Sequence, residues 1–495
     1  MCKKFQITIL PEGRRIEAAA GVSLLAALRA EALAPDAPCG GNGSCGKCTV
    51  LVDGVSQLAC QTPVTRDLSL TLPHGAQVQT LSDGCAVQVR MNPARPGFLL
   101  AFDIGTTTIA GYLLNEAGQE LATAGMLNPQ IAFGADVVSR IQLALHGQME
   151  ALTACVRRAL SDLTQQLCAH VGIAPAQIGV VSVVGNPCMQ QLFLGLLPEN
   201  LAAIPFSPLL TKATVQDAQD CLPLCENAAL LCVPDISGYV GADTMGCVLS
   251  TKMYARDALT LMVDIGTNGE MVLGSRTRLL ACSTAAGPAL EGAKIKFGMR
   301  AAAGAIDRVC LEDGALHTHV IGQTEAVGIC GSGLIDAIAC LLELGLVNER
   351  GRLQSSEEID AERVIYLTPN VYLTQNDIRE VQMAKGAIAA GISLLAQTLG
   401  IAVGEIDAVL LAGAFGSFLN TENACRIGLL PPELAGKITA IGNAAGSGAK
   451  LLACDLDELT RAQTLAQEIE FLELANVPGF QREFAKQMRF QSRKG

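Results

Sequence analysis

One short pattern occurs twice in this chain and limits what it can fold into: an apolar run that ends in Asp-Ile-Gly-Thr. The first copy lies within residues 97–108 and contains Asp103, and the second lies within residues 261–270 and contains Asp264. Each run predicts a buried strand, and the glycine that follows lets the backbone approach a ligand closely. Two carboxylates on two hydroxyl-bearing turns suit a phosphate chain gripped from two sides, with Mg²⁺ between the aspartates. The pattern therefore predicts a nucleotide site.

Length and composition narrow the class of protein. The chain has 495 residues, of which 50% are hydrophobic, and it contains 50 glycines. Such a chain can bury large cores and can form roughly two to four domains. We therefore predict a folded, multidomain protein of the α/β and α+β type. The formal net charge of -12 argues against a nucleic-acid partner, because phosphates would be repelled.

The cysteine content bears on the cellular compartment. The chain has 19 cysteines, and no apolar segment of the signal-peptide kind follows Met-Cys-Lys-Lys. No run of 18 or more uncharged apolar residues reads as a membrane span. We therefore expect a cytoplasmic protein whose cysteines are thiols or metal ligands rather than disulfides. So many thiols favour a strongly reducing or anaerobic cell.

The first 85 residues form a predicted module of their own. Residues 5–10 alternate as a strand does, a turn follows, and residues 14–17 begin a return strand. Ser23 can cap a helix over residues 24–33. This strand, turn, strand and helix are similar to the β-grasp of [2Fe–2S] ferredoxins.

A glycine-rich cysteine loop follows that helix. Its spacing is C-x5-C-x2-C-x11-C, with glycines that let the loop wrap around a cluster and aim N–H groups at its sulfurs. The spacing resembles that of [2Fe–2S] ferredoxins with five residues in the first gap, and a structural zinc site is the alternative. We favour the cluster because three ligands share one loop, and we expect Cys2 and Cys85 to be free thiols. The predicted metal ligands are Cys39, Cys45, Cys48 and Cys60.

Residues 86–97 read as a linker between this module and the rest of the chain. Pro93, Pro96 and Gly97 favour an extended, semi-rigid tether. A redox module on such a tether could deliver electrons to a partner.

The remainder, residues 98–495, resembles the fold shared by actin, sugar kinases and heat-shock chaperone ATPases (ASKHA). After Asp103 we expect a hairpin of strands 109–114 and 120–126. The resemblance implies two lobes, roughly 98–260 and 261–475, followed by an amphipathic C-terminal helix that packs on the lobe.

Three further motifs occur in the order that this fold requires. The small-residue stretches 238–246 and 442–448 look like the two helices that pack together between the lobes. The stretch 408–417 predicts a strand and then a glycine turn against which a purine can lie. At Gly331 a glycine turn enters a helix, which suits contact with a phosphate or ribose. Glu291 is a candidate for holding the ribose, and a solvated helix carboxylate is the alternative reading.

The nucleotide-binding residues that we predict come from these motifs. They are Asp103, Gly105, Thr106, Thr107, Thr108, Asp264, Gly266, Thr267, Asn268, Glu291, Gly331, Gly413, Ala414, Phe415, Gly416 and Ser417.

The predicted catalytic residues are Asp103 and Asp264, which would hold Mg²⁺, and Glu270. Glu270 and Asp243 are candidates by position for the group that orients the attacking water. His317 and His319 lie two apart on a predicted strand and read as a surface pair rather than a metal site.

A ferredoxin-type module ahead of an ASKHA-type module resembles the reductive activators of corrinoid proteins, which serve methyltransferase systems. The stretches that carry the resemblance begin at Asp103, Gly241, Asp264, Ala286, Gly298 and Leu411. The resemblance covers nearly the whole chain. The resemblance implies a [2Fe–2S] cluster, ATP and Mg²⁺ as cofactors. It also implies a corrinoid methyltransferase protein and a low-potential electron donor as partners.

The activity that the resemblance implies is the return of inactive cobalt(II) to cobalt(I). Some relatives carry a middle domain associated with dimerisation, and only the linker 86–97 stands in that place here. A dimer formed by that route is therefore not expected, although monomer and homodimer both remain compatible with the sequence. The alternatives are an activator of another redox enzyme such as a dehydratase, an ATP-driven sensor or chaperone, and a small-molecule kinase. The four-cysteine loop argues against the dehydratase activators, which bridge a [4Fe–4S] cluster between subunits.

Overall fold

A computed structural model describes most of the chain. The described residues are 3–10, 13–31, 33–35, 37, 41, 43, 46, 48–72, 89–286, 289–354 and 363–491. The predictions for Cys2, Cys39, Cys45 and Cys85, and for the first residues of the linker, lie outside them.

The N-terminal module is a five-stranded mixed sheet with one helix. Its elements are β1 (Lys4–Leu10), β2 (Arg14–Ala19), α1 (Leu24–Ala30), β3 (Thr49–Val52), β4 (Val55–Leu58) and β5 (Leu68–Thr71). The strand order is β2-β1-β5-β3-β4. The Ser23 hydroxyl accepts a bond from the Ala26 N–H at 3.2 Å and so begins α1, which buries Leu24, Leu25 and Leu28 in the module's core. The helix ends at Ala30, earlier than predicted, and the strand-turn-strand-helix order is confirmed.

The first lobe is built on a six-stranded sheet in the order β10-β11-β9-β6-β7-β8. Its elements are β6 (Phe98–Ile104), β7 (Thr108–Leu114), β8 (Glu120–Leu127), α2 (Val137–Leu143), α3 (Met149–Val171), β9 (Ile178–Gly185), α4 (Pro187–Leu194), β10 (Thr214–Asp217), β11 (Ala229–Cys232) and α5 (Ala242–Thr251). The predicted hairpin after Asp103 is β7 and β8.

The second lobe repeats this plan on a sheet in the order β21-β20-β12-β13-β14-β22. Its elements are β12 (Thr260–Ile265), β13 (Gly269–Ser275), β14 (Arg278–Thr284), β15 (Ala305–Glu312), β16 (Ala315–Val320), β17 (Gly328–Ile329), α6 (Gly331–Glu343), β18 (Val364–Thr368), β19 (Val371–Thr374), α7 (Gln375–Leu399), β20 (Ala408–Ala412), α8 (Gly413–Phe418), α9 (Thr421–Ile427), β21 (Ile438–Gly442), α10 (Ala444–Cys454), α11 (Leu456–Glu468), β22 (Glu470–Phe471) and α12 (Phe480–Gln487). In both sheets a parallel pair, β9 with β6 or β20 with β12, continues into an antiparallel meander.

The two sheets enclose a middle layer made of α5 and α10. Leu99 and Ala101 of the first sheet and Met262 and Leu410 of the second share one core with these helices. The opposite face of the first sheet packs on α3, and that of the second packs on α6 and α7. Each sheet has two apolar faces because successive side chains of a strand point to opposite sides.

Glycines let α5 and α10 approach each other closely. A Cβ atom on Gly448 would lie 2.2 Å from the carbonyl oxygen of Gly246, and a Cβ on Gly246 would lie 2.8 Å from the carbonyl oxygen of Ala445. The predicted pairing of the two small-residue helices is therefore confirmed.

The end of the linker is bonded to the ATPase-like module rather than free. The Asn92 N–H donates to the Cys454 carbonyl at 2.8 Å, and the Asn92 carbonyl accepts from the Leu456 N–H at 2.9 Å. Arg90 also pairs with Asp457 at 2.8 Å. Residues 89–97 are thus anchored where α10 meets α11, which corrects the expectation of a tether that is extended along its whole length.

The C-terminal helix packs on the second lobe as predicted. α12 lies against α7, Phe490 is buried, and the ammonium group of the buried Lys385 donates to the Arg489 carbonyl. The histidine pair lies on β16, where His319 bonds to Asp307 at 2.6 Å and is half exposed. Within the described part of the chain, no helix combines the length and apolar character that crossing a bilayer demands.

The close contact of the two middle helices yields a stability prediction. Gly448→Ala should lower the free energy of unfolding by about 2 kcal/mol, because the added methyl group would collide with backbone rather than with a flexible side chain. Urea denaturation followed by circular dichroism measures this loss. Gly404→Ala is the control, since its Cβ would lie 3.8 Å from the nearest atom. Equal midpoints for the two variants would contradict the close-packing argument.

Candidate functional site

The two Asp-Ile-Gly-Thr loops face each other across one cavity of about 260 Å³. Asp103 lies near the end of β6 and Asp264 near the end of β12. The hydroxyl oxygens of Thr107 and Thr267, one from each loop, are 3.4 Å apart. The parallel plan of the two sheets brings these loops together, because corresponding strands end at the same cleft.

Most of the predicted nucleotide residues lie in the wall of this cavity. They are Asp103, Gly105, Thr106, Thr107, Thr108, Asp264, Gly266, Thr267, Asn268, Glu291, Gly331, Gly413 and Phe415. The catalytic candidates Glu270 and Asp243 also line the cavity. Wall residues that were not among the predicted site residues include Asn186, Met299, Arg300, Ser332, Phe418 and Asn443.

The first phosphate loop is held from behind by the segment that follows β8. The Asn128 side-chain amide donates to the Gly105 carbonyl at 2.8 Å, and the Asn128 backbone N–H donates to the Thr107 carbonyl at 2.9 Å. The Arg140 guanidinium donates to the Thr106 carbonyl at 2.5 Å. The carbonyls of Gly105, Thr106 and Thr107 therefore all accept bonds from the segment behind the loop.

Asn186 holds the same loop from another direction. It caps α4 through the Met189 N–H, and its amide nitrogen donates to the Thr106 hydroxyl at 3.0 Å. The Asn186-Pro187 sequence is a helix-start signal that could have been read as a loop-to-helix junction beside the first phosphate loop.

Four carboxylates meet in the cavity wall: Glu270 is buried, and Asp103, Asp243 and Asp264 are partly buried. Burial, together with the charges of Asp243 and Asp264, raises the pKa of Asp103 to about 7. Burial and the Asp243 charge raise the pKa of Asp264 to about 7, and burial raises the pKa of Asp243 to about 6. The pKa of Glu270 lies well above its ordinary value for the same reasons. Like charges in a dry site favour the protonated forms.

These carboxylates fit a magnesium ion, because a divalent cation would offset the repulsion that raises their pKa values. Among the described residues, no group of three or more acidic, cysteine or histidine side chains is close enough to hold a metal ion directly. The fit is therefore to Mg²⁺ that keeps several of its waters, as that ion usually does.

Asp103 is also bonded to the middle helix α10. The Asn443 amide nitrogen donates to Asp103 at 2.9 Å, and the Asn443 side-chain oxygen caps α10 through the Gly446 N–H. One residue thus ties the first aspartate to the start of a helix.

Glu291 bridges the two loops. Its carboxylate accepts hydrogen bonds from the hydroxyls of Thr107 and Thr267, each at 3.0 Å. The carboxylate therefore lies between the lobes beside the phosphate loops, and its predicted contact with a ribose stays a prediction.

The predicted adenosine motif is a short helix rather than a turn. Gly413 begins α8 with a left-handed φ of 83° and lies close to Asp264, where a Cβ would be 2.6 Å from the carboxylate. Gly331 packs against the ring of Phe415. Gly416 packs on Leu411 and the Ser417 hydroxyl bonds to the Gly413 carbonyl, so these two do not line the cavity. The side chain of Ala414 lies outside the described residues.

Two of the four predicted cluster cysteines can be placed. Cys48 is buried immediately before β3, and Cys60 is half buried after β4. A Cβ on Gly41, which has a φ of 99°, would lie 3.7 Å from the Cβ of Cys60. The glycine therefore lets the loop pass close to this thiol, which fits the chemistry of a thiolate-held [2Fe–2S] cluster.

The redox module contacts the first lobe beside this loop. The Arg29 guanidinium lies over the ring of Phe133 at 5.6 Å, and it is also close to Gly41. Phe133 belongs to the segment that holds the first phosphate loop.

Comparisons with known proteins agree with this division of the chain. Family models match as follows: a 2Fe-2S iron-sulfur cluster binding domain at residues 7–65, the RACo middle region at 98–256, and the C-terminal domain of RACo, described as the ASKHA domain, at 258–495. The residues matched to the middle region, 98–256, are those that form the first lobe. The expectation that only the linker 86–97 separates the two modules stays a prediction. The boundaries at 85, 97 and 260 stay predictions.

Similar proteins were found along most of the chain. The corrinoid activation enzyme RamQ of Eubacterium limosum is 34% identical over 88% of this chain and 79% of its own length. The [Co(II) methylated amine-specific corrinoid protein] reductase of Methanosarcina barkeri is 27% identical over 75% of this chain and 72% of its own. The solved structure of a reductive activator for a corrinoid iron-sulfur protein has 27% identity and a TM-score of 0.72, and the match covers 98% of both chains.

The buried carboxylates yield a pH prediction. Asp264→Asn should raise the stability of the nucleotide-free protein above pH 7. The folded-state pKa of Asp264 is about 7 against an ordinary 3.8, so the wild-type carboxylate destabilises the fold increasingly as pH rises from about 4 to 7. The gain should reach a few kcal/mol, on the order of 1.4 for each pKa unit, and shrink as pH falls toward 4. Urea titrations at several pH values measure it.

Adding Mg²⁺ tests whether ionisation of the carboxylates causes this loss of stability. Millimolar Mg²⁺ should narrow the gap between wild type and Asp264→Asn at pH 8, because the cation stabilises the ionised carboxylates. A gap that is the same at pH 5 and pH 8 would mean that titration of this group is not responsible.

Proposed function

Because the chain belongs to the family of reductive activators of corrinoid proteins, we propose that it is an ATP-dependent activator of a corrinoid methyltransferase protein. It transfers an electron from its [2Fe–2S] cluster to cobalt(II) of the partner's corrinoid and so restores cobalt(I). The observation that carries this proposal is that two Asp-Ile-Gly-Thr loops meet at one cavity in a chain that also has a ferredoxin-type cysteine loop.

ATP is needed because the cobalt(II)/cobalt(I) step lies at a potential too low for an ordinary ferredoxin to complete favourably. ATP can drive that electron transfer only if the nucleotide binds two conformations of the activator with different affinity. We propose that closure of the lobes around Mg²⁺ and ATP changes the surface that grips the corrinoid protein.

The residues of the cavity have separate tasks in this proposal. Backbone N–H groups of the two loops would bind phosphate oxygens, and Asp103 and Asp264 would hold Mg²⁺ through its waters. Asp243 and Glu270 both line the cavity and are candidates for orienting the attacking water. The thiolates of the cysteine loop supply one-electron chemistry when they hold the cluster.

A low-potential electron donor and a reducing cytoplasm complete the proposal. None of the described cysteines forms a disulfide, as a reducing compartment favours. The cluster loop and the nucleotide cavity belong to one chain, so a monomer has both parts.

The helix α10 gives the nucleotide a route to the redox module. Its first turn is tied to Asp103 through Asn443, and its last residue, Cys454, accepts the Asn92 N–H of the linker. A shift of Asp103 toward Mg²⁺ would therefore move a rigid helix whose other end anchors the tether of the redox module.

The function is tested with protein whose cluster has been rebuilt anaerobically. With a low-potential reductant and a cobalt(II) corrinoid methyltransferase subunit, cobalt(I) absorbance should appear only when Mg²⁺ and ATP are present. Asp264→Ala should abolish both ATP hydrolysis and cobalt(I) formation while the cluster spectrum is retained. The exposed Asp257, changed to Ala, is the matched control and should behave as wild type.

The outcomes separate the alternatives. ATP hydrolysis without cobalt(I) would point to another redox client, such as a dehydratase. Loss of the cluster in Asp264→Ala would contradict the independence of the two modules.

The anchoring of the linker gives a second test. Asn92→Pro removes the N–H that bonds to Cys454, whereas Asn92→Ala keeps it. We expect Asn92→Pro to hydrolyse ATP at nearly the wild-type rate but to form cobalt(I) several-fold more slowly for each ATP consumed. Asn92→Ala should keep the wild-type ratio of cobalt(I) to ATP. The same ratio in both variants would rule out this route of coupling.

A further inference from the structure

We infer that Arg140 is a positioning residue for the phosphate chain: a buried positive charge, behind the first phosphate loop, that strengthens binding in proportion to the charge of the nucleotide. The inference rests on the proposed binding of ATP. It concerns a residue that lies outside the cavity wall and outside every nucleotide motif of the sequence.

Arg140 is completely buried and is bonded to neutral acceptors. Its guanidinium donates to the Gly134 carbonyl at 2.9 Å, the Gln130 side-chain oxygen at 3.2 Å, the Met189 sulfur at 3.0 Å and the Thr106 carbonyl at 2.5 Å. No carboxylate among the described residues forms a salt bridge with it. A buried charge without a counter-ion is costly unless another partner compensates it.

Other charges act on Arg140 only at longer range. Asp136 at the start of α2 and Glu291 across the cavity favour its charged form. Burial lowers the pKa of the guanidinium to about 10, so it stays protonated at neutral pH. The positive charge is therefore present behind the loop whenever a nucleotide binds.

The orientation of the peptide bonds transmits the effect of this charge to the N–H groups on the cavity side of the loop. In a trans peptide the C=O and the next N–H point in opposite directions. The carbonyls of Gly105 and Thr106 are held by Asn128 and Arg140, which belong to the same segment behind the loop. The N–H groups of Thr106 and Thr107 therefore point away from that segment, and both residues line the cavity.

Those two N–H groups can donate to a phosphate oxygen in the cavity. In the described part of the chain, neither is bonded to a protein acceptor. A charged donor on the Thr106 carbonyl polarises the Thr106–Thr107 peptide and makes its N–H a stronger donor. The two loops from Asp103 to Thr108 and from Asp264 to Glu270 contain no lysine or arginine of their own.

An electrostatic contribution differs from a purely structural one in how it depends on the ligand. The attraction of a fixed charge grows with the charge of the nucleotide, so its loss should weaken ATP more than ADP and ADP more than AMP. A loop that has merely lost its shape would weaken all three by similar factors.

The experiment measures the affinities of ATP, ADP and AMP by calorimetry for the full-length protein with its cluster. It is done first with Mg²⁺ to establish binding and then without Mg²⁺, so that each added phosphate adds to the charge of the nucleotide. Arg140→Met should weaken ATP about tenfold more than AMP, with ADP between them. Arg140→Lys keeps the charge and should recover much of the preference for ATP. Arg157→Met is the matched control: Arg157 also donates to carbonyls, of Phe193 and Asp220, but away from the cavity. Its ratio of ATP to AMP affinity should stay at the wild-type value.

A second variant keeps the test decisive if Arg140→Met does not fold. Gln130→Glu keeps Arg140 and places a carboxylate at the atom that already accepts its bond. Neutralising the guanidinium in this way should also lower the ratio of ATP to AMP affinity by several-fold. An unchanged ratio in Arg140→Met or Gln130→Glu would overturn the role of Arg140 and leave the proposed function intact. A wild-type protein that binds none of the three nucleotides would overturn both.

Discussion

The repulsion among buried carboxylates at the cleft is the interaction on which the rest of the structure depends. Asp103 and Asp264 end corresponding strands of two similar sheets, so the fold itself brings their charges together. Without a cation the site favours protonated forms, as the raised pKa values of both residues indicate. Binding of Mg²⁺ with a nucleotide would therefore change the charge state of residues on both lobes at once.

In the proposed mechanism, the middle layer would convert that local change into a change between modules. Gly246 and Gly448 let α5 and α10 touch through their backbones, so a shift of one helix is expected to move the other. The start of α10 is bonded to Asp103 and its end to the linker. A packed element of this kind has few intermediate positions, which is what coupling between two states requires.

The sequence predicted the parts of this site that repeat a local pattern. The strand, the aspartate and the glycine turn are adjacent in the chain, so Asp103 and Asp264 could be identified from hydrophobic runs and spacing. The two small-residue helices could be identified for the same reason, since close helix packing needs glycine at specific positions.

Residues that act across long sequence distances could not be found in this way. Asn128 and Arg140 hold a loop that precedes them by more than twenty residues, and an arginine after a helix cap reads locally as a surface residue. Glu291 was predicted only as a candidate for the ribose, and its bonds to Thr107 and Thr267 could not be predicted because those residues come together only where the lobes meet. Gly416 and Ser417 were included because a glycine turn was expected, but the chain continues as a helix that turns them away from the cavity.

The cleft thus has charges of opposite sign on two sides of the phosphate position. The carboxylates need a cation on the cavity side, and Arg140 needs an anion beyond the loop. Mg²⁺ and a triphosphate together satisfy both demands, whereas either alone satisfies one. In the proposed mechanism, hydrolysis followed by loss of the γ-phosphate would remove charge that both sides bind, and the lobes would lose the ligand that joins them. The stability of the proposed closed state would then depend on the phosphate count of the nucleotide, which is the differential affinity that an ATP-driven electron transfer needs.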